Sequence, residues 1–198
     1  MAVGVARHSR SGIYSWGSGY SVKAAYQFLM SQKFPPPAPL PFQWLWKSSC
    51  QEKHRVFFWV LLQDRLNTRG LLQRKNLFVE DYTCVMCNEG SLETRDHLFF
   101  YCRFAQACWK CLCPALDLQA NVNHIEFISQ LKAHLDKPFY MEIIILCAWA
   151  IWLTTNDFIF KDQEPSLYRC RAIFKVELKW LKHRMIRKSY GLFAAWVD

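Results

Sequence analysis

Four residues near the middle of the chain constrain its fold more than any other feature. Cys84, Cys87, His97 and Cys102 follow the pattern C-x2-C-x9-H-x4-C. Three thiolates and one imidazole make the closed, tetrahedral shell of a structural zinc ion, whereas a catalytic zinc keeps one position open for water or substrate. The spacing therefore predicts one structural Zn2+. Because such sites contribute roughly 10–16 kcal/mol at neutral pH, the surrounding domain is expected to depend on the metal.

The second half of this pattern predicts a break in the helix that carries it. His97 and Cys102 are separated by four residues. In one unbroken α-helix their side chains would point roughly 140° apart, too far to share one ion. We therefore expect the first helix to end near residues 100–101 and Cys102 to open the next helix.

The residues next to these ligands indicate how the negative charge of the site is offset. Arg95 and Arg103 lie next to ligands in the sequence and are expected to offset the negative charge of a zinc ion held by three thiolates. The second ring nitrogen of His97 needs a hydrogen-bond partner, and Asp96 is a candidate.

Composition and cysteine usage indicate a folded intracellular protein. The chain is 52% hydrophobic with nine Trp and fifteen Phe, which excludes intrinsic disorder. Nine cysteines, an odd number, and an N-terminus without an apolar secretory segment predict a reducing compartment, nuclear or cytoplasmic, and no secretion. The most apolar run, Ile143–Leu153, is shorter than the roughly 20 residues of a membrane span, so we expect a buried helix and no membrane association.

Apolar spacing predicts a mainly α fold, in which a small helical domain is held by one CCHC zinc site and followed by a C-terminal helical extension. The predicted parts are a poorly ordered N-terminus (1–19), the zinc domain (20–113) and the extension (114–198). Prolines in Phe34–Pro41 predict an extended connector. The predicted helices are one that follows Ser21, Lys53–Leu66, a short one capped by Asn67 or Thr68 and running through Arg74, Arg103–Cys113, His124–Leu135, Met141–Phe160 and Leu167–Lys188.

The charge of the chain is compatible with an anionic partner and equally with an ordinary solvated basic surface. The net charge is +9, and the last predicted helix is especially rich in Lys and Arg. Such a helix is expected to bind RNA or DNA weakly and without sequence preference, through phosphate contacts that weaken with salt. The alternative is an ordinary amphipathic surface helix. The residues expected to contact nucleic acid are Lys175, Lys179, Lys182, Arg184, Arg187 and Lys188.

Catalytic patterns are not apparent in the sequence. Two-metal phosphoryl transfer needs clustered carboxylates, and the sixteen acidic residues are scattered. Cys50 and His54 resemble a nucleophile and base only by proximity, without a group to orient the imidazole. Cys108, Cys111 and Cys113 have no histidine at a convincing ligand spacing, so they are expected to pack in a helix. We therefore expect a protein that is not an enzyme.

Several short motifs occur in a characteristic order over about residues 16–110. They are Tyr20–Tyr26, Trp44–Lys47, Lys53–Trp59, Leu66–Thr68, Arg74, Cys84, Cys87, Glu93–Phe99, Cys102–Ala105 and Trp109. With them the chain resembles the zinc-binding domain at the C-terminal end of reverse transcriptases from plant non-LTR (LINE-type) retrotransposons. Asn67 and Thr155 depart from this resemblance, since a proline and a basic residue are common there. Further along the chain, Trp149–Trp152, Asn156–Asp157 and Phe160 are similar to a segment that often follows this domain.

The resemblance implies a role inherited from a retroelement, in which the domain binds or positions nucleic acid beside a polymerase. Two further readings stay open. The chain is alternatively a scaffold that docks a reverse transcriptase or another protein through exposed aromatics and the proline-rich connector, or a degenerate fragment without a selected role.

Overall fold

The computed structural model divides into two compact units, Met1–Leu40 and Pro41–Asp198. In the first unit, strands β1 (Arg7–His8) and β2 (Tyr14–Ser15) pair antiparallel, with Arg7 opposite Ser15. The rest of the predicted poorly ordered segment lies outside the described residues. The structure describes residues 7–8, 14–15, 21–23, 25–26, 28, 39–114, 123–185 and 187–197, with the backbone alone for 7–8, 14–15, 39–42 and 188.

Helices dominate the described residues, and strand structure there is limited to β1, β2 and one isolated bridge. The predicted mainly α fold is therefore confirmed. Residues 22, 23, 25, 26 and 28 are helical, as the motif after Ser21 predicted. The remaining helices are α1 (Pro39–Lys47), α2 (Glu52–Leu62), α3 (Arg69–Arg74), a π-helical turn (His97–Tyr101), α4 (Arg103–Leu112), α5 (His124–Leu135), α6 (Tyr140–Lys161), α7 (Leu167–Lys182) and α8 (Arg187–Val197).

Side-chain caps fix where three of these helices begin. Thr68 accepts a hydrogen bond from the Leu71 amide at 3.3 Å and starts α3. Asn123 accepts from Glu126 at 3.0 Å at the start of α5, and Ser166 caps α7 in the same way. Each cap satisfies an amide that lacks a partner in the first helical turn. Of the two predicted candidates for the α3 cap, the structure uses Thr68.

The prediction of an extended connector through Pro41 is wrong at its C-terminal end. Helix α1 begins at Pro39, and residues 39–41 are helical. Proline is tolerated in the first turn of a helix because its missing N–H would have no partner there. Residues 34–38 of the predicted connector lie outside the described residues.

Helix α6 is the centre of the second unit. It contacts α2, α4, α5 and α7, and every residue from Met141 to Ala148 is buried. By length and composition alone, α6 could cross a membrane. However, 56% of its most apolar stretch is buried inside the protein. The core helix of a soluble protein passes the same test of length and composition. The predicted buried helix over Ile143–Leu153 is thus confirmed.

The C-terminal helix is shorter than predicted. Instead of running to Lys188, α7 ends at Lys182, and a turn over 183–185 precedes α8. The turn lets Phe193 of α8 pack edge-on against Phe139, with ring centroids 5.0 Å apart, and Phe193 becomes fully buried. Burial of a large aromatic side chain outweighs the helical turn that is interrupted.

Aromatic packing connects the segment around the predicted ligands to α6. Phe99, in the π-helical turn, lies 6.2 Å from the ring of Trp152 and 6.1 Å from that of Phe57. Phe57 also packs against Trp149 at 5.0 Å. Packing of Phe99 against Phe57 and Trp152 thus fixes the position of the π-helical turn on the core. The predicted division between 20–113 and 114–198 stays a prediction.

Candidate metal centre

The structure brings the four predicted ligands together. Their ligand atoms all lie within 4.8 Å of one another. The Cys84 and Cys102 sulfurs are 3.9 Å apart, and the Cys87 sulfur is 3.3 Å from Nε2 of His97. A tetrahedral zinc with bonds of about 2.3 Å to sulfur places neighbouring sulfurs about 3.8 Å apart. The donor set and the spacing therefore fit one zinc ion with four protein ligands.

A short two-stranded ribbon carries the first two ligands. The Cys84 amide donates to the Ser91 carbonyl at 2.8 Å, and Thr83 and Leu92 form an antiparallel bridge. Between the two sides the chain reverses through Gly90, whose φ of 65° lies in the left-handed region. Glycine adopts this conformation without steric cost. The ribbon therefore places the Cys84–Cys87 turn at its tip, where both sulfurs face one point.

The second pair of ligands is set by the π-helical turn. The Cys102 amide donates to the His97 carbonyl at 2.6 Å, an i to i+5 hydrogen bond. Cys102 then leaves the helix with φ −56° and ψ 134° and serves as the N-cap position of α4. This confirms the predicted break before Cys102. The wider turn brings residue 102 back over residue 97, which an α-helical turn would not do.

The sulfur of Cys102 is the site's preferred thiolate. The pKa of Cys102 is lowered to about 6, chiefly because the Cys84 thiol donates to its sulfur, with further support from the amides of Phe104 and Ala105. The same hydrogen bond, together with burial, raises the pKa of Cys84. Helix N-termini stabilise thiolates in this way. Cys102 is thus the ligand most readily present as a thiolate.

The predicted surroundings of the ligands are rearranged. Asp96 pairs with Arg95 at 2.8 Å rather than acting as the partner of His97. Arg95 is only 9% exposed and also donates to the Leu62 carbonyl at 3.1 Å, so it ties the end of α2 to the site. Arg103 forms an ion pair with Glu89. The Arg95 charge is therefore used mainly for structure instead of offsetting the metal site.

Sequence reasoning missed the contribution of Glu93 and Arg69. Glu93 is 2% exposed, and its carboxylate accepts from the Arg69 amide at 3.0 Å. The Arg69 guanidinium donates to the carbonyls of Asp81 and Thr83 at 3.0 and 3.2 Å. These contacts fasten the start of α3 to the ribbon. A glutamate four residues before His97 was the available signal, although its partner Arg69 lies 24 positions away in the sequence.

The residues predicted to contact nucleic acid do not lie on one helix. Lys175, Lys179 and Lys182 lie on α7, Arg184 in the following turn and Arg187 at the start of α8. Lys175, Lys179, Arg184 and Arg187 are exposed, and Lys182 is partly buried. The side chain of Lys188 lies outside the described residues.

The basic and aromatic residues near α2 are engaged within the fold. Lys53 pairs with Glu177 at 3.4 Å and lies over the ring of Trp149. His54 is 2% exposed, and its ring lies 5.1 Å from the ring of Trp149. Burial lowers the pKa of His54 to about 4. Burial likewise raises the pKa of Cys50, which opposes formation of a nucleophilic thiolate beside His54.

The site thus defines a class: a small helical domain with a closed CCHC metal site. Residues 20–109 match the model of the family described as zinc-binding in reverse transcriptase. The match covers all four clustered ligands, and together with the geometry it supports a reverse-transcriptase-associated zinc-binding domain in this part of the chain. Neither a curated protein nor a solved structure was found to be similar to the chain.

Proposed function

We propose that the chain is a non-catalytic zinc-binding module derived from the reverse transcriptase of a plant non-LTR (LINE-type) retrotransposon. The observation that carries the proposal is the cluster of four ligands. Four protein ligands fill the coordination shell of a zinc ion and leave no coordination position open for substrate. Zn2+ is then structural, and Cys84, Cys87, His97 and Cys102 hold it. The module acts inside the cell, in the nucleus or cytoplasm, without a membrane and without enzymatic activity.

The module binds RNA or DNA weakly through its C-terminal basic residues. Lys175, Lys179, Arg184 and Arg187 present their charges to solvent. Each phosphate they neutralise releases counterions, so affinity falls as salt rises. Phosphate contacts carry no sequence information, and the expected binding is independent of sequence.

Fluorescence anisotropy with a labelled single strand of mixed sequence tests this function. We expect the logarithm of the affinity to fall linearly with that of the salt concentration. A triple variant, Lys175→Gln, Lys179→Gln and Arg184→Gln, should bind more weakly and lower the slope by about 2, at about 0.7 per lost phosphate contact. The matched control removes three exposed charges elsewhere, with Lys47→Gln, Lys110→Gln and Lys137→Gln.

Equal losses in the two triple variants would mean that net charge, and not this surface, attracts nucleic acid. Absence of binding at low salt would refute the nucleic-acid role. The closed metal site would be unaffected by either result.

A protein-docking function is the second candidate, supported by exposed apolar side chains. Phe78, Tyr168 and Phe160 are 88, 85 and 78% exposed, and aromatic side chains are enriched where proteins dock. The partner would be a reverse transcriptase or another protein. Binding through these residues should persist at high salt and be weakened by Phe78→Ser or Tyr168→Ser. If neither partner binds, the remaining interpretation is a degenerate retroelement fragment.

A further inference from the structure

A cavity of about 460 Å³ lies among helices α4, α6, α7 and α8, away from the metal centre. This volume falls within the range of small-molecule sites, about 300–1,000 Å³. Thiols line one part of it, including those of Cys108, Cys111 and Cys170. The predicted metal function uses none of these cysteines.

Two of the thiols form a close pair. The Cys108 thiol donates to the Cys170 sulfur at 3.5 Å, across α4 and α7. Both side chains are buried, at 7 and 3% exposure, yet both line the cavity and can be reached through it. A disulfide needs the sulfurs about 2.05 Å apart, so an approach of about 1.5 Å suffices at the sulfurs.

The pair is chemically asymmetric. The pKa of Cys170 is lowered chiefly because the Cys108 thiol donates to its sulfur, an effect that outweighs burial. That same hydrogen bond raises the pKa of Cys108. Thiolates, and not thiols, attack disulfides. These directions favour Cys170 as the attacking group and Cys108 as the resolving group.

Cations border the same cavity. Arg171, Lys175 and Lys179 follow one another at intervals of four residues along α7, and all three are exposed. Within the described part of the chain, no ion pair joins them to an acid, and no acidic residue lines the cavity. A ligand that enters beside the thiol pair therefore meets an uncompensated positive field.

We propose that this cavity is a redox site, at which a small anionic disulfide oxidises Cys108 and Cys170 to a disulfide. The Cys170 thiolate attacks one sulfur of the small molecule, whose S–S bond breaks and whose other half leaves as a thiolate that takes up a proton. Cys108 then loses its proton and attacks the Cys170 sulfur in the mixed disulfide, which releases the second half as a thiol. Two protein thiols are oxidised, and one small disulfide is reduced to two thiols.

The new bond would join α4, whose N-cap is the ligand Cys102, to α7. A cross-link between residues this far apart in sequence restricts the unfolded chain strongly. We therefore expect the oxidised form to melt at a higher temperature than the reduced form, with its zinc retained.

Oxidised glutathione, an anionic disulfide, is the probe for the test. The zinc-loaded, full-length chain is incubated with it without oxygen, and its cysteines are mapped by mass spectrometry of peptides. We expect a Cys108–Cys170 link in the parent and one glutathione retained on Cys170 in Cys108→Ser. Cys113→Ser is the matched control because Cys113 is also buried but does not line the cavity; it should form the same link as the parent.

The cations are tested by a rate comparison. With Arg171→Gln, Lys175→Gln and Lys179→Gln combined, the reaction with oxidised glutathione should slow at least tenfold, while that with neutral 2-hydroxyethyl disulfide should keep its rate. Equal slowing with both disulfides would overturn the role of the cations. Modification confined to the exposed Cys111, or loss of zinc before any Cys108–Cys170 link forms in the parent, would overturn the site itself.

Discussion

The backbone amide of Cys102 donates to the carbonyl oxygen of His97 at 2.6 Å, and this one hydrogen bond decides whether two of the four ligands can share an ion. It closes a turn of π-helix, which returns the chain to the same side after five residues. An α-helical turn at this place would direct the two side chains roughly 140° apart. π-Helical turns are rare and often occur at functional sites, as this one does.

Replacing a ligand should remove the metal. In Cys102→Ser one of the three thiolate ligands is lost, so we expect the one zinc per chain of the parent to fall to near zero, with loss of structure over residues 80–112. Elemental mass spectrometry measures the metal, and circular dichroism follows the helices. Cys111→Ser is the control because Cys111 is exposed and outside the cluster. A variant that kept one zinc and the melting temperature of the parent would refute the structural role.

The π-helical turn should depend on Trp109. Its indole Nε1 donates to the Phe99 carbonyl at 2.7 Å, and the side chain is fully buried. Trp109→Phe leaves that carbonyl without its donor and opens a small cavity, so we expect a loss of about 2–4 kcal/mol in the free energy of unfolding. Urea denaturation measures it. Trp180→Phe, at a 60% exposed position, should stay within about 0.5 kcal/mol, and similar losses in both would contradict this view.

A side chain at position 70 should destabilise the protein. A Cβ at this position would lie 2.9 Å from the Glu93 carbonyl oxygen, which also accepts a hydrogen bond from the Gly70 amide. Gly70→Ala must push α3 away from the ribbon, at a cost of about 1–3 kcal/mol and with weaker zinc retention against a chelator.

Gly191→Ala is the matched control for that substitution. Gly191 is helical, and a Cβ there meets nothing within 4 Å. We expect it to stabilise the protein by about 0.5–1 kcal/mol, because alanine loses less conformational entropy in a helix. The same thermal and chelation assays serve both variants. If Gly70→Ala behaved like Gly191→Ala, close packing of α3 on the ribbon would be disproved.

Acid should destabilise the protein through His54. Burial lowers its pKa to about 4 from the ordinary 6.5, with Lys53 acting in the same direction and Glu177 opposing. Between these pH values the unfolded chain binds a proton that the folded chain excludes, so stability falls as the pH drops from about 6.5 to about 4. The full effect is on the order of 3 kcal/mol.

Urea unfolding of the parent and His54→Gln between pH 7 and pH 4.5 measures this term. Protonation of the cysteine ligands releases zinc in both proteins, so the difference between their two pH profiles isolates His54. The variant should show the flatter profile. Parallel profiles would mean that His54 is protonated equally well in the folded and unfolded chains.

Several helix boundaries could be predicted from the sequence because they depend on residues close together in the chain. The cap of Thr68, the full extent of His124–Leu135 and the start of α4 after Cys102 each depend on residues within one or two helical turns. The ligand spacing also predicted that the helix after His97 must break. These features are encoded by propensity, capping and spacing, which act over a few residues.

Tertiary structure decided what depends on distant partners. The fully buried Phe193 packs on Phe139, and the chain turns after Lys182 instead of continuing its helix. Arg95 serves the Leu62 carbonyl, 33 positions away, and Cys108 meets Cys170 across 62 positions. Burial of apolar surface and the pairing of buried polar groups are settled only when separate segments meet. Local sequence patterns therefore indicated most of the helices and the ligand set, whereas the packed fold determined where α7 ends, how the ligands are supported and which thiols pair.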